Sequence, residues 1–171
     1  MKIAVASDLH LEFDDIALTN TENADVLVLA GDICTVKHYH SRPEMEKSYS
    51  EFFKACSEQF PHVVYVVGNH EHYNYQFNYT VNDLKRKLAH YENIHVLDNE
   101  TFEIENYTFI GSTLWSEIND FTNQINDLNC IENMSYNYYN QLHKEARNYI
   151  ESVLDSELCN SNNIKVIIIT H

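Results

Sequence analysis

Residues 63–71 read Val-Val-Tyr-Val-Val-Gly-Asn-His-Glu, an apolar run of strand length that passes through one glycine into an amide, an imidazole and a carboxylate. Apolar residues at consecutive rather than alternate positions suit a strand covered on both faces, as in a parallel sheet flanked by helices. Three further runs have the same texture: Lys2 to Ser7 (KIAVAS), Asp25 to Gly31 (DVLVLAG) and Lys165 to Thr170 (KVIIIT). Helical patterns lie between them. Met45, Tyr49, Phe52, Cys56 and Phe60 share one helical face, and Pro61 stops that helix. Thr80-x-x-Asp83 has the form of a capping box ahead of Leu84 and Leu88, and Leu142, Ala146, Tyr149 and Val153 mark a third helix. Strands alternating with helices make the fold class α/β.

Outward from these runs the texture changes. Ile94 to Leu97, Phe102 to Ile104 and Tyr107 to Ile110 read as short strands with a tight turn at Glu105-Asn106, a hairpin that extends the sheet. Trp115 to Tyr139, rich in Asn and Asp with scattered aromatics, reads as a long irregular segment flanking a site. The 171 residues, 44% of them hydrophobic, are read as one domain.

The residues just past the end of each apolar run carry the chemistry. The first run leads into Asp8-Leu9-His10, the second into Asp32, the third into Asn69-His70-Glu71 and the fourth into His171. In open α/β sheets ligands bind beyond the carboxyl ends of the strands, so four runs deliver Asp8, His10, Asp32, Asn69 and His171 to one edge. Carboxylate, amide and imidazole donors without thiolate form a set suited to Mn²⁺, Fe, Zn²⁺ or Mg²⁺. Two of the chain's 3 glycines immediately precede Asp32 and Asn69, where the backbone has to turn to aim a side chain.

Composition sets bounds. With 11 Lys+Arg against 26 Asp+Glu, the net charge is −15, which repels nucleic-acid backbones and anionic lipid. Three glycines cannot build a dinucleotide-binding or P-loop cradle. Cys34, Cys56, Cys130 and Cys159 are widely spaced, no signal peptide is evident and no apolar run reaches bilayer length, so a soluble protein of the reducing cytoplasm is expected.

Asp8-x-His10, Gly31-Asp32 and Gly68-Asn69-His70-Glu71, in that order and each after a strand, resemble the calcineurin-like metallophosphoesterases. The opening SDLHLEF is similar to bacterial and phage members, and the G-S-T-L-W segment and the terminal T-H also match in order. The resemblance covers almost the whole chain. It implies a metallophosphoesterase-type α/β sandwich with mainly parallel central strands, and two divalent ions, Mn²⁺ foremost. By it, Asp8 and His10 bind the first ion, Asn69 and His171 the second, and Asp32 bridges them. His70 contacts the phosphate or protonates the leaving alkoxide, while a metal-bridging hydroxide attacks phosphorus. Two ions roughly 3.5–4 Å apart would provide the positive centre that such an acidic chain lacks. The expected substrate is a small-molecule phosphomonoester or phosphodiester.

Against the family pattern, the chain contains no Gly-His pair and ends at His171, without the G-H-x-H motif whose histidines complete both metal sites. The resemblance therefore implies a C-terminally incomplete second sheet. The absent imidazoles would come from a second copy or another polypeptide, and the alternative is a catalytically degenerate binding or assembly module. Elsewhere, His38-Tyr39-His40 reads as a solvated loop, His72 and Tyr73 as packing beside the site, and His62, His90, His95 and His143 as surface or half-buried residues.

Overall fold

The structure is a computed structural model that describes residues 1–119, 125–160 and 164–171, without the side chains of 157–160. The Cys159 side chain and residues 120–124 of the expected irregular segment thus lie outside what the structure describes. Strands β1 (Ile3–Ala6), β2 (Val26–Ala30), β3 (His62–Val66) and β4 (Ile94–Leu97) form a parallel sheet in that order. A second sheet holds β5 (Glu100–Ile104), β6 (Tyr107–Ser112) and β7 (Lys165–Thr170), with β5 antiparallel and β7 parallel to β6.

The two sheets face each other across Val26, Val28, Val64, Val66, Leu97, Phe109 and Ile169. Alternate residues of the first sheet, including Leu27, Leu29, Val63 and Tyr65, point the other way, into a layer of helices α1 (Val36–Ser41), α2 (Pro43–Gln59) and α3 (Phe77–Leu88). The inner strands β2 and β3 are apolar at consecutive positions because both their faces meet protein, and each Val or Leu buried this way contributes about 1.5–3 kcal/mol. Helix α5 (Tyr136–Asn160) packs on β6 and β7 from the far side, making a helix–sheet–sheet–helix sandwich. In α2, Pro43 occupies the first turn with Glu44 and Glu46, and Tyr49, Phe52, Phe53 and Cys56 fill its buried face.

Several expectations are corrected. The hairpin builds the second sheet rather than extending the first, and Lys165–Thr170 joins it there, because a run's composition reports burial and not its pairing partner. Helix α3 begins at Phe77; Thr80 lies within it and its hydroxyl donates to the Gln76 carbonyl at 3.3 Å, so it caps nothing. His38-Tyr39-His40 belongs to α1, where Tyr39 is fully buried, rather than to a loop. The segment 115–139 contains α4 (Asp127–Cys130) and the start of α5. Outermost strands β1 and β7 leave Val5 and Ile168 exposed, so the first run is not covered on both faces. Cys34, Cys56 and Cys130 are unbonded, and among the described residues no helix is long and apolar enough to cross a membrane.

Candidate metal centre

Because β1, β2 and β3 are parallel, the segments leaving them emerge at one edge and continue side by side. Asp8 N–H donates to the Gly31 carbonyl, His10 N–H to that of Asp32 and Leu11 N–H to that of Ile33, at 2.9–3.0 Å. Asp8 (φ 53°), His10 (φ 46°) and Asp32 (φ 54°) all take the left-handed conformation, which costs an ordinary residue about 1–2 kcal/mol. Strain of this kind concentrates where side-chain aim matters more than backbone comfort.

The glycines act chiefly through close approach. A Cβ on Gly31 (φ 83°) would lie 2.3 Å from His171 Cγ, and one on Gly68 would lie 2.3 Å from Asp32 Oδ1 and 2.6 Å from its backbone nitrogen. Their absent side chains let β7 deliver His171, and the turn after β3 pass, directly against Asp32.

Asp32 is the centre. Its Oδ2 lies 3.9 Å from His10 Nε2 and its Oδ1 3.3 Å from His171 Nε2, with the His70 backbone N–H donating to Oδ1 at 2.9 Å. Donor atoms of His10, Asp32 and His70 form one group within 4.8 Å of one another, and those of Asp8, Asp32 and His171 form another. The structure therefore brings together four of the five expected ligands and the expected catalytic histidine, with Asp8 placed beside His171. Burial alone would raise the Asp32 carboxyl, but the hydrogen bond from His171, the His70 N–H and the nearby imidazoles bring it below the ordinary range. His171 is pushed up to about 9 by its bond to Asp32, against the opposing effect of burial.

Each histidine is gripped at Nδ1. His171 Nδ1 donates to the Ala30 carbonyl at 2.9 Å, while His10 Nδ1 and His70 Nδ1 approach Glu12 Oε1 at 3.2 and 3.1 Å. Metal-bound imidazoles are typically held in this way, with one nitrogen fixed by a carbonyl or carboxylate and the other presented to the ion. The donors present thus fit divalent cations. His70 also stacks on Tyr73 at 4.1 Å and meets His10 edge-on at 4.5 Å.

Asn69, the fifth expected ligand, sits on the His171 side, where both line a cavity of about 280 Å³ with Thr113, Trp115, Asp127 and Tyr139. Three carboxylates beyond the expected set hold the site together. Glu12, whose side chain is 5% exposed, bridges His10 and His70. Fully buried Glu71 accepts from the backbone N–H of Asp32, Ile33, Cys34 and Gly68 and from the Tyr65 hydroxyl, so it ties the turns carrying Asp32 and Asn69 together. Burial pushes its carboxyl up, opposed by Tyr65 and the backbone donors and reinforced by the charge of Asp32. Asp127 accepts from Asn69. Glu12 and Glu71 lie within the SDLHLEF and Gly-Asn-His-Glu strings, which do not by themselves say what the two carboxylates hold, whereas Asp127 has no signal beyond being acidic.

A sequence model of the calcineurin-like phosphoesterases matches residues 1–171. The chain belongs to that family. This calcineurin-like phosphoesterase is 33% identical over 196 aligned residues to uncharacterized protein L509 of Acanthamoeba polyphaga mimivirus; the match takes in 96% of this chain and 65% of that protein, so the chain spans less than two thirds of its relative. Its fold is similar to that of a phosphopantetheinyl hydrolase, PptH, from Mycobacterium tuberculosis, at a TM-score of 0.59 and 14% identity, covering 99% of this chain and 67% of the other.

Proposed function

We propose that this protein is a metal-dependent hydrolase of a small phosphomonoester or phosphodiester, working through two divalent cations, with Mn²⁺ the foremost candidate. Family membership supports a metal-dependent phosphoesterase in general. The observation that carries the site assignment is Asp32, whose two carboxylate oxygens face different histidines, His10 and His171. One carboxylate so placed can serve two cations at once. Asp8 and His10 complete the holding of one ion and Asn69 and His171 that of the other, with Asp8 also within reach of the His171 group.

When bound, the ions neutralise phosphate charge and make hydroxide available near neutral pH. The chain's own residues do the rest. Glu12 accepts from His70 Nδ1, fixing the ring and leaving Nε2 to protonate the departing alkoxide. Tyr73, stacked on the same ring, limits its rotation. The cavity walled by Trp115 and Tyr139 receives the non-phosphate part of the substrate, and the chain's charge of −15 disfavours a polyanionic nucleic acid there.

Asp32→Ala is expected to abolish Mn²⁺-dependent hydrolysis of an aryl phosphate while the far-ultraviolet circular dichroism stays native. Turnover undiminished in this variant refutes the assignment.

A further inference from the structure

Asp127 is 7% exposed, and among the described residues no lysine or arginine pairs with it. What surrounds it instead is a set of neutral donors that lead back to one amide. Asn69 Nδ2 donates to Asp127 Oδ1 at 2.9 Å, the Tyr73 hydroxyl donates to the same oxygen at 2.7 Å, and the Tyr139 hydroxyl approaches Oδ2 at 3.4 Å. Asn69 Nδ2 also lies 3.2 Å from the Tyr73 oxygen. Burial and the adjacent Asp127 push the Tyr73 hydroxyl far up, so it stays protonated and remains a donor.

An asparagine amide has two nearly isosteric ends, so packing cannot decide which end faces a ligand; only hydrogen-bond partners can. A carboxylate accepts and never donates while ionised. With Asp127 on one side, Asn69 must turn Nδ2 toward it, and the carbonyl oxygen is left on the opposite side of the planar amide. The geometry points to Asp127 as the positioning residue that presents the Asn69 carbonyl oxygen as a metal donor, an inference that rests on the phosphoesterase reading above. Asp127 reaches the site from α4, 58 residues further along the chain, and acts through Asn69. Tyr73 couples the two halves of the site, since it stacks on His70 and donates to Asp127.

The test is a cycle of variants titrated with Mn²⁺, followed by the spin-resonance signal of the free ion. Asp127→Leu is expected to weaken one of the two bound ions 10–100-fold, the range found when outer partners of metal ligands are removed. Asp127→Asn, whose carbonyl oxygen still accepts from Asn69, is expected to recover most of that loss and guards against misfolding. In an Asn69→Asp background a symmetric carboxylate has no end to choose, so Asp127→Leu should cost nothing there. Equal losses in both backgrounds would mean a merely structural role and would overturn the inference. A metal-free readout separates this from the broader reading. The Asn69 Nδ2–H resonances, displaced in the wild type by the hydrogen bond to Asp127, should move to the positions of an unbonded amide in Asp127→Leu. If they do so in a protein that binds no Mn²⁺, Asp127 orients the amide while phosphoesterase function fails; if neither the resonances nor Mn²⁺ affinity changes, the inference fails alone.

Discussion

Glu71→Gln isolates the carboxylate beneath the site without changing its size. In the wild type Oε1 takes the Ile33 N–H at 2.7 Å, the Tyr65 hydroxyl at 2.6 Å and the Cys34 N–H at 3.4 Å, while Oε2 takes the Gly68 N–H at 2.7 Å and the Asp32 N–H at 3.1 Å. Glutamine has one oxygen and one NH₂ group. Placed with its NH₂ group on the Oε2 side, it confronts the Gly68 and Asp32 donors; turned over, it confronts those of Ile33 and Cys34, although Tyr65 can rotate to accept. Either way two buried backbone donors lose their acceptor, at about 1–3 kcal/mol each, so the expected loss is about 2–6 kcal/mol. Against a total of about 5–15 kcal/mol this is severe, and it lowers Tm by on the order of 10 °C. Urea denaturation at neutral pH measures it, with Tyr65→Phe as a milder control that removes one donor and leaves four. Burial pushes the Glu71 carboxyl up, and glutamine mimics the protonated acid. A loss below about 1 kcal/mol would therefore show that Glu71 is carried neutral, and the picture of an ionised acceptor organising the Asp32 and Asn69 turns would be wrong.

Two further outcomes are expected from the same geometry. In Gly68→Ala the new methyl group meets the Asp32 backbone at 2.6 Å, which cannot swing aside, so stability should fall by about 1–3 kcal/mol together with Mn²⁺ affinity; wild-type values for both in the purified variant refute the close-approach account. Burial pulls His72 down to about 3 from its ordinary 6.5, so below 6.5 the unfolded chain takes up a proton that the folded one refuses, and stability falls with pH by about 2 kcal/mol at about pH 5. His72→Leu should flatten that part of the stability curve, and an unchanged slope between about pH 5 and 6.5 would show that another group is responsible.

The legible part of this protein is the part whose physics is local. Val63–Val67 is recognisable because a strand covered on both faces must be apolar at every position, and Asp8, Asp32 and Asn69 are recognisable because parallel strands bring their carboxyl ends to one edge. Pairing is a different matter. Lys165–Thr170 has the apolar texture of Lys2–Ser7 yet pairs with Tyr107–Ser112 in the other sheet, since neither run carries a mark of its neighbour. His171 still reaches Asp32, because the two sheets meet at the edge where Gly31 and Gly68 leave room.

The least legible residues are those that set direction rather than donate. Glu71 binds backbone N–H groups, which every residue but proline possesses, so no partner in the sequence announces it. Glu12 and Asp127 act on side chains whose own roles must be known first, and Asp127 does so from a four-residue helix that no periodicity reveals. Yet direction separates a cluster of polar groups from a metal centre. The left-handed backbone at Asp8, His10 and Asp32 and the fixed Nδ1 atoms of three histidines are costs and constraints that a merely solvated edge would not carry. Their convergence on one carboxylate, more than the presence of the motif residues themselves, is why Asp32→Ala and Asp127→Leu should show their largest effects in cation binding.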